Sequence, residues 1–247
     1  MPRKRFFTTL LNFDIAVVVY IILNLIIGKA MTMSQIFLSF LAWESVGNSN
    51  WYIFCILLCY TLAFFSFLLS DDVNISLFLV IFFSFISMVS LSFLKETWWY
   101  NTLLCFSFGM LYSEKKEKFD ILIKSRYFWC FIVFLILFCL FRCIPITLRG
   151  FIYNMESICF ALIVTLVMMK MELKNPYLQW MGERLFPLYI YQRLMMIALF
   201  QIPGGTTFIS QHPLVYIFFC FATVVLLSLL YPRWQVFVIN NRFKIGI

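Results

Sequence analysis

Charged residues are scarce in this sequence, and only one histidine is present, His212. Charged side chains make up 12% of the 247 residues and hydrophobic ones 64%. A water-soluble domain usually carries about 25% charged residues, so this chain could not hide its apolar surface in water. The motifs of soluble enzymes are also absent: no P-loop, no dinucleotide-binding glycine pattern, no nucleophile elbow and no paired-histidine zinc motif. The composition therefore favours a protein whose solvent is lipid.

Long apolar runs are what the sequence does contain. A helix needs about 20 mainly apolar residues to cross a bilayer. The runs predict an all-α fold, a polytopic integral membrane helix bundle with about eight transmembrane helices in a single domain, 1–247. We expect the spans at 13–28, 51–70, 75–94, 98–113, 127–145, 150–170, 179–201 and 213–231. The segment 32–43 is too short to span comfortably and is expected to be interfacial or re-entrant.

Basic residues alternate between the loops of this arrangement. One side collects thirteen: Arg3, Lys4, Arg5, Lys115, Lys116, Lys118, Lys124, Arg126, Lys170, Lys174, Arg233, Arg242 and Lys244. The other side has four: Lys29, Lys95, Arg142 and Arg149. The positive-inside rule predicts a cytoplasmic location for the first side and for both termini. The net charge of +8 is thus explained by membrane orientation, and nucleic acid is not an expected partner.

Glu156 and Arg193 are the charges that fall deepest within predicted spans. Each costs roughly 2.5–3.5 kcal/mol at mid-membrane, so each needs a partner or a water-filled cavity. They lie at similar depth on consecutive antiparallel spans, which predicts either a structural ion pair or a polar cavity open to the outer face. Asp14 is expected at the water-exposed end of the first span.

Three other segments allow two interpretations each. The charged run 114–118 is a solvated cytoplasmic loop or a contact for anionic headgroups or a coenzyme's phosphates. The polar segment 44–50 is a plain outer loop or a sugar-binding loop. His212 lies beside Pro213 in an outer loop with no orienting carboxylate nearby, which is weak evidence for acid–base chemistry. The eight cysteines are interpreted as small hydrophobic packing residues, and no metal site is expected.

Several segments together resemble membrane acyltransferase family 3. The stretch 175–193, from Asn175 to Arg193, resembles the late-helix motif of that family. The aromatic entry Trp51-Tyr52-Ile53 resembles that of a middle helix. A third segment resembles a later helix of the family, through Trp99, Tyr100, Asn101 and Thr102 followed by Phe106, Phe108, Gly109 and Met110. The basic start Arg3-Lys4-Arg5 resembles the stretch before the family's third helix.

The resemblance implies a function and a location. Family members transfer an acyl group, usually acetyl from acetyl-CoA or another acyl-CoA donor, to a sugar hydroxyl of a surface polysaccharide or lipid-linked glycan in the bacterial inner membrane. The expected substrate-binding residues are Glu156, Arg193, Gln192, Trp51, Tyr52 and Asn101. Family members have about ten helices and an early catalytic histidine. His212 does not match that histidine, so no catalytic residue is assigned, and we expect this chain alone not to acetylate a glycan. A non-enzymatic glycan flippase, polymerase component or small transporter is the alternative.

Overall fold

The computed structural model describes residues 2–144, 149–171, 174–202 and 204–244, and the side chains of 2–4, 149 and 232–244 are not described. Over these residues the chain is built from α-helices and one 3-10 turn, with no strand. The helices are α1 (Pro2–Ile27), α2 (Met33–Phe40), α3 (Asn50–Leu69), α4 (Val73–Leu94), α5 (Leu103–Glu114), α6 (Lys116–Ser125), α7 (Tyr127–Cys143), α8 (Arg149–Lys170), α9 (Pro176–Glu183), α10 (Leu185–Tyr191), α11 (Leu194–Gln201), α12 (Gly205–Gln211) and α13 (Pro213–Lys244).

Five of the described helices contain a segment long and apolar enough to cross a membrane: Arg5–Ile27, Asn50–Leu69, Val73–Leu94, Gly150–Lys170 and Pro213–Tyr231. The number rises to seven if two bent pairs, α6 with α7 and α10–α11 with α12, each count as one span. The all-α fold is therefore confirmed and is consistent with a membrane helix bundle, while the described residues supply five to seven candidate spans and not the eight expected.

The apolar segments keep most of their surface on the outside of the protein. Between 17% and 33% of each apolar window is buried. Exposed side chains such as Ile26 (78%), Phe93 (83%) and Leu214 (79%) would be unfavourable in water over so large an area. In a bilayer the same side chains contact lipid tails. Helices with apolar outer surfaces are therefore stable there, because their backbone polar groups are paired within each helix.

The span expected at 98–113 is missing even from the higher count, whereas those expected at 127–145 and 179–201 enter that count only as parts of bent pairs. Residues Thr97–Trp99 form a 3-10 turn, and α5 begins only at Leu103. A helix of 12 residues is about 18 Å long, well short of the hydrocarbon core of about 30 Å. The tryptophan-rich entry is therefore a folded turn and not the first turn of the helix.

Two further expectations are corrected by the helix boundaries. The run 114–118 is not an open loop, because α6 begins at Lys116 and meets α7 at an angle of 100°. The first span begins earlier than residue 13, since α1 starts at Pro2. Asp14 thus lies well inside α1, half-buried, with one carboxylate oxygen enclosed and without a hydrogen-bond partner among the described residues.

The chain divides into two compact units. Unit 1 contains Met1–Phe6 and Cys55–Lys174, and unit 2 contains Phe7–Phe54 and Asn175–Ile247. The polar centre of unit 1 is Asn154 in α8, which is fully buried. Its amide donates to the carbonyls of Tyr100 and Gly150, both at 2.8 Å, and its side-chain oxygen accepts from the backbone N–H of Leu104 at 2.9 Å.

Asn154 thereby fixes the start of α5. The N–H of Leu104 is one of the donors that a helix leaves unpaired in its first turn. A buried amide satisfies it here, and the same amide holds the 3-10 turn through Tyr100. A second polar contact, Ser107 to Ser84 at 2.7 Å, joins α5 to α4. Side-chain hydrogen bonds of this kind are a general means of joining helices in lipid.

We expect Asn154→Leu to lower the thermal stability of the purified protein. The substitution leaves the N–H of Leu104 and the carbonyl of Tyr100 buried without partners, at a cost of about 1–3 kcal/mol. Thermal unfolding in detergent measures the change. The matched control is Asn74→Leu, because Asn74 is exposed and its side chain accepts from Lys115 at the surface. Equal melting temperatures for the two variants would contradict the role given to Asn154.

Candidate functional site

The expected span 179–201 is interrupted twice. Helix α9 ends at Glu183, α10 runs from Leu185 to Tyr191, and α11 begins at Leu194. The second interruption falls on Gln192 and Arg193, two of the residues that the sequence singles out. Interrupted helices are tolerated at membrane depth where protein encloses them or where they line a water-filled cavity. A break that carries an arginine is therefore a candidate functional site.

Tyr20 of α1 stabilises this break. Its side chain is completely buried, and its hydroxyl donates to the carbonyl of Ile190 at 2.9 Å. In a continuous helix that carbonyl would accept from the backbone N–H of residue 194, four positions later. The tyrosine hydroxyl thus satisfies an acceptor that the interruption would otherwise leave bare. It also lies within electrostatic reach of Arg193.

The segment 41–50 packs against the same part of unit 2. Gly47 has a φ of +109°, and a Cβ at this position would lie 2.6 Å from the Cδ1 of Ile197 in α11. Only glycine combines this backbone conformation with so close an approach. Asn24 of α1 donates to the carbonyl of Val46 at 2.7 Å and is buried. The segment therefore lies over α1 and α11 in a defined conformation.

Hydrogen bonds within and next to this segment make it rigid. Asn50 donates to the carbonyl of Ala42 at 2.8 Å, and the Ser45 hydroxyl donates to the carbonyl of Asn48 at 2.7 Å. Gln35 of α2 donates to the carbonyl of Ser45 at 3.1 Å. Asn48 and Asn50 are buried. The segment thus has a buried amide core, while its backbone forms turns and bends up to Asn50. Whether it binds a sugar stays a prediction.

An aromatic cluster joins the start of α3 to α10. The rings of Trp51 and Tyr52 are in edge contact with centroids 5.9 Å apart. Tyr52 is also in edge contact with Tyr189, at 4.8 Å. Tyr189 precedes Arg193 by four residues, about one helical turn. The structure therefore brings Tyr52, with Trp51 beside it, against α10, the helix that ends just before Gln192 and Arg193.

Arg193 is exposed at the surface of unit 2, and the structure, over the residues it describes, gives it no ion pair. A guanidinium provides five N–H donors, and the half-buried amide of Gln192 adds two donors and an acceptor. Aromatic side chains beside such groups offer an apolar face with a polar tip. The combination suits a polyhydroxylated ligand, whose oxygens accept from the cation and whose C–H faces pack on rings.

The other two expected site residues, Glu156 and Asn101, belong to unit 1. Glu156 forms an ion pair with Arg142 across α8 and α7, with 3.4 Å between Oε1 and the guanidinium nitrogen. The carbonyl of Asn101 accepts from the hydroxyl of Ser157 at 3.3 Å. Glu156 thus has a partner that the sequence interpretation did not consider. Its pairing with Arg193 stays a prediction.

Three residues that matter here were missed from the sequence. Tyr20, Tyr189 and Asn154 are uncharged, and a search for charges in apolar runs passes over them. Asn154 carried a usable signal, since an amide within a predicted span, here 150–170, must find a partner. Tyr20 carried none, because a tyrosine in an apolar helix is as easily placed at the lipid interface.

Comparison of the chain with protein-family models, with curated proteins and with solved structures finds no match.

We expect Tyr20→Phe to weaken the folded state. The change keeps the ring and removes the hydroxyl, so the buried carbonyl of Ile190 loses its donor at a cost of about 1–3 kcal/mol. Thermal unfolding and limited proteolysis between residues 185 and 201 would detect the loosened helix. Tyr177→Phe is the control, since that tyrosine is 79% exposed. Equal proteolysis of both variants would show that Tyr20 does not hold the break.

Proposed function

We propose that this chain is a membrane O-acyltransferase-like protein and that unit 2 binds its glycan acceptor. The observation that carries the proposal is the interrupted helix at Gln192–Arg193, placed beside Tyr52 and Tyr189 and packed against the segment 41–50. Within lipid, an arginine at a helix break is the kind of group that binds a polar substrate. The resemblance to membrane acyltransferase family 3 adds the reaction class.

The reaction would join two substrates. An acyl-CoA, acetyl-CoA in the usual family member, supplies the acyl group, and a sugar hydroxyl accepts it. In this proposal Arg193 and Gln192 donate hydrogen bonds to the oxygens of the sugar, and Trp51 and Tyr52 pack against its ring. No residue of this sequence matches the family's catalytic histidine, so no catalytic base is assigned. Binding of the glycan is therefore a more direct test of the proposed acceptor site than acyl transfer.

The alternative from another class is a glycan flippase or small transporter, and the same interrupted helix favours it. Transporters also place discontinuous helices around a substrate near the middle of the bilayer. The two functions differ in the acyl donor. Membrane vesicles supplied with labelled acetyl-CoA would transfer label to glycan in the first case. In the second case they would move glycan across the membrane without labelling it.

The binding test uses surface polysaccharide fragments from the host cell, stripped of acetyl groups with mild base. Reconstituted protein should bind them saturably, measured by tryptophan fluorescence. Tyr52→Ala and Arg193→Gln should each weaken binding about tenfold, the loss of one good contact of about 1.4 kcal/mol. Tyr177→Ala and Arg126→Gln, two exposed positions elsewhere, should bind like the unchanged protein. Periodate-treated fragments, which lack vicinal hydroxyls, should not bind.

Equal loss of binding in the Tyr177 and Arg126 controls would mean that the fragments respond to general damage and not to this site. Full binding by Tyr52→Ala and Arg193→Gln together would refute the assignment of the acceptor to unit 2.

The proposed orientation has both termini and the segment 114–126 in the cytoplasm and His212 outside, in the inner membrane of a bacterium. It depends on the thirteen-to-four distribution of basic residues. It also requires the chain to cross the bilayer between Lys95 and Lys115, where α5 alone is about 18 Å long. Reporter fusions after residues 120 and 208 should give opposite signals, the first active only in the cytoplasm and the second only outside. Reporters that indicate the same side would disprove this orientation.

A further inference from the structure

A second polar feature of unit 2 lies away from the proposed glycan site. It is an open cavity of about 390 Å³ at the junction between α9 and α10, bordered also by α1 and α13. Six of its lining residues matter for its chemistry: Thr9, Asn12, Glu183, Arg184, Phe186 and Tyr231. The volume falls within the range of about 300–1,000 Å³ that small-molecule sites occupy.

Two polar side chains of this cavity, Asn12 and Arg184, are available to a ligand, and one of them has an enclosed nitrogen without a partner in the described part of the chain. Asn12 is 6% exposed, and its side chain lines the cavity. The Nε of Arg184 is enclosed and has no acceptor among the described residues. An enclosed guanidinium nitrogen without an acceptor is costly, so the Nε of Arg184 calls for a ligand atom in the cavity. Both residues line the same cavity, so one ligand could contact both.

The charges of the cavity specify the kind of ligand. Arg184 and Glu183 form an ion pair with 3.6 Å between the guanidinium nitrogen and Oε2, so a cation and an anion stand side by side. A purely anionic ligand would gain from Arg184 but be repelled by Glu183. A zwitterion with a phosphate and an ammonium group complements both. The rings of Phe186 and Tyr231, 6.2 Å apart, add an aromatic wall that attracts an ammonium group.

The position of the cavity along the helices points to a lipid as its source. The apolar segment of α13 ends at Tyr231, and that of α1 begins at Arg5. Thr9 and Asn12 follow Arg5 by four and seven residues, so they lie about 6 and 10 Å along the helix. That depth is where headgroups meet the hydrocarbon, since a bilayer of about 40–45 Å contains a core of about 30 Å.

We propose that this cavity binds the phosphoethanolamine headgroup of a phospholipid. Asn12 and Arg184 donate to the phosphate oxygens, with the Thr9 hydroxyl within the same cavity. Glu183 accepts from the primary ammonium group, which also faces Phe186 and Tyr231. A trimethylated headgroup has no N–H to donate to Glu183, and a glycerol headgroup has no cation. The site therefore selects phosphatidylethanolamine over phosphatidylcholine and phosphatidylglycerol.

The test is native mass spectrometry of the full chain released from detergent, titrated with short-chain phosphatidylethanolamine, phosphatidylcholine or phosphatidylglycerol. We expect phosphatidylethanolamine to bind about tenfold more tightly than either of the others. Soluble phosphoethanolamine, used as a competitor, should displace it. Displacement would show that the headgroup carries the recognition. Failure of millimolar competitor to displace any lipid would show that acyl chains carry it, and would overturn the proposal.

Three variants separate a binding site from a structural contact. Arg184→Gln should weaken phosphatidylethanolamine about tenfold. Glu183→Gln should abolish the preference over phosphatidylglycerol, because the repulsion of an anionic headgroup is removed. The matched control for Arg184→Gln is Arg126→Gln, an exposed arginine of unit 1, which should leave all three affinities unchanged.

Asn12→Leu tests by thermal stability whether the cavity is occupied by the lipid headgroup. If the cavity binds the headgroup, this variant loses the rise in melting temperature that added phosphatidylethanolamine gives the unchanged protein. If the cavity binds nothing, Asn12→Leu shifts the melting temperature by the same amount in every lipid. That second result, or equal binding of the three lipids, would overturn the proposal. These lipid-binding experiments contain no glycan, so their failure would not bear on the proposed glycan site.

Discussion

Every backbone N–H and C=O that enters lipid must find its partner inside the protein, because the bilayer core offers no water in exchange. Most of this chain meets the constraint by forming helices. The informative places are those where a helix stops. There a side chain must replace the missing backbone partner, as Tyr20 does for Ile190 and Asn154 does for Leu104. These two side chains are completely buried, and each belongs to a helix other than the one it completes.

This constraint explains which features could be predicted from the sequence. An apolar run of about 20 residues in lipid forms a spanning helix. The sequence therefore predicted the ends of α3, α4, α8 and the apolar part of α13 to within a few residues. The aromatic cluster was anticipated in part, since Trp51 and Tyr52 stand at the start of a span. Those inferences needed only composition along the chain, which the sequence contains directly.

The interruptions could not be predicted in the same way. The stretch 97–113 is apolar enough for a helix throughout, yet it forms a turn until Leu103 because Asn154, some 50 positions later, binds the turn. Likewise no local sequence feature predicts the helix break at Gln192, because the break is stabilised by the Tyr20 hydroxyl of α1. Long-range hydrogen bonds of this kind decide between two conformations that the local sequence allows equally well. The partner of Glu156 was missed for a related reason: Arg142 looked like a loop residue.

The two arginines of the stretch 179–201 now have a common explanation. Arg184 lies between α9 and α10, and Arg193 lies between α10 and α11. A continuous helix would have placed both on its surface nine residues apart, about 13–14 Å along the axis, with the cost of a charge in lipid at each. At a junction the same charge has freed backbone groups, polar neighbours and space beside it. One junction borders a cavity in which the Nε of Arg184 has no acceptor among the described residues, and the other borders an aromatic cluster. Both binding proposals therefore arise where this stretch stops being a helix.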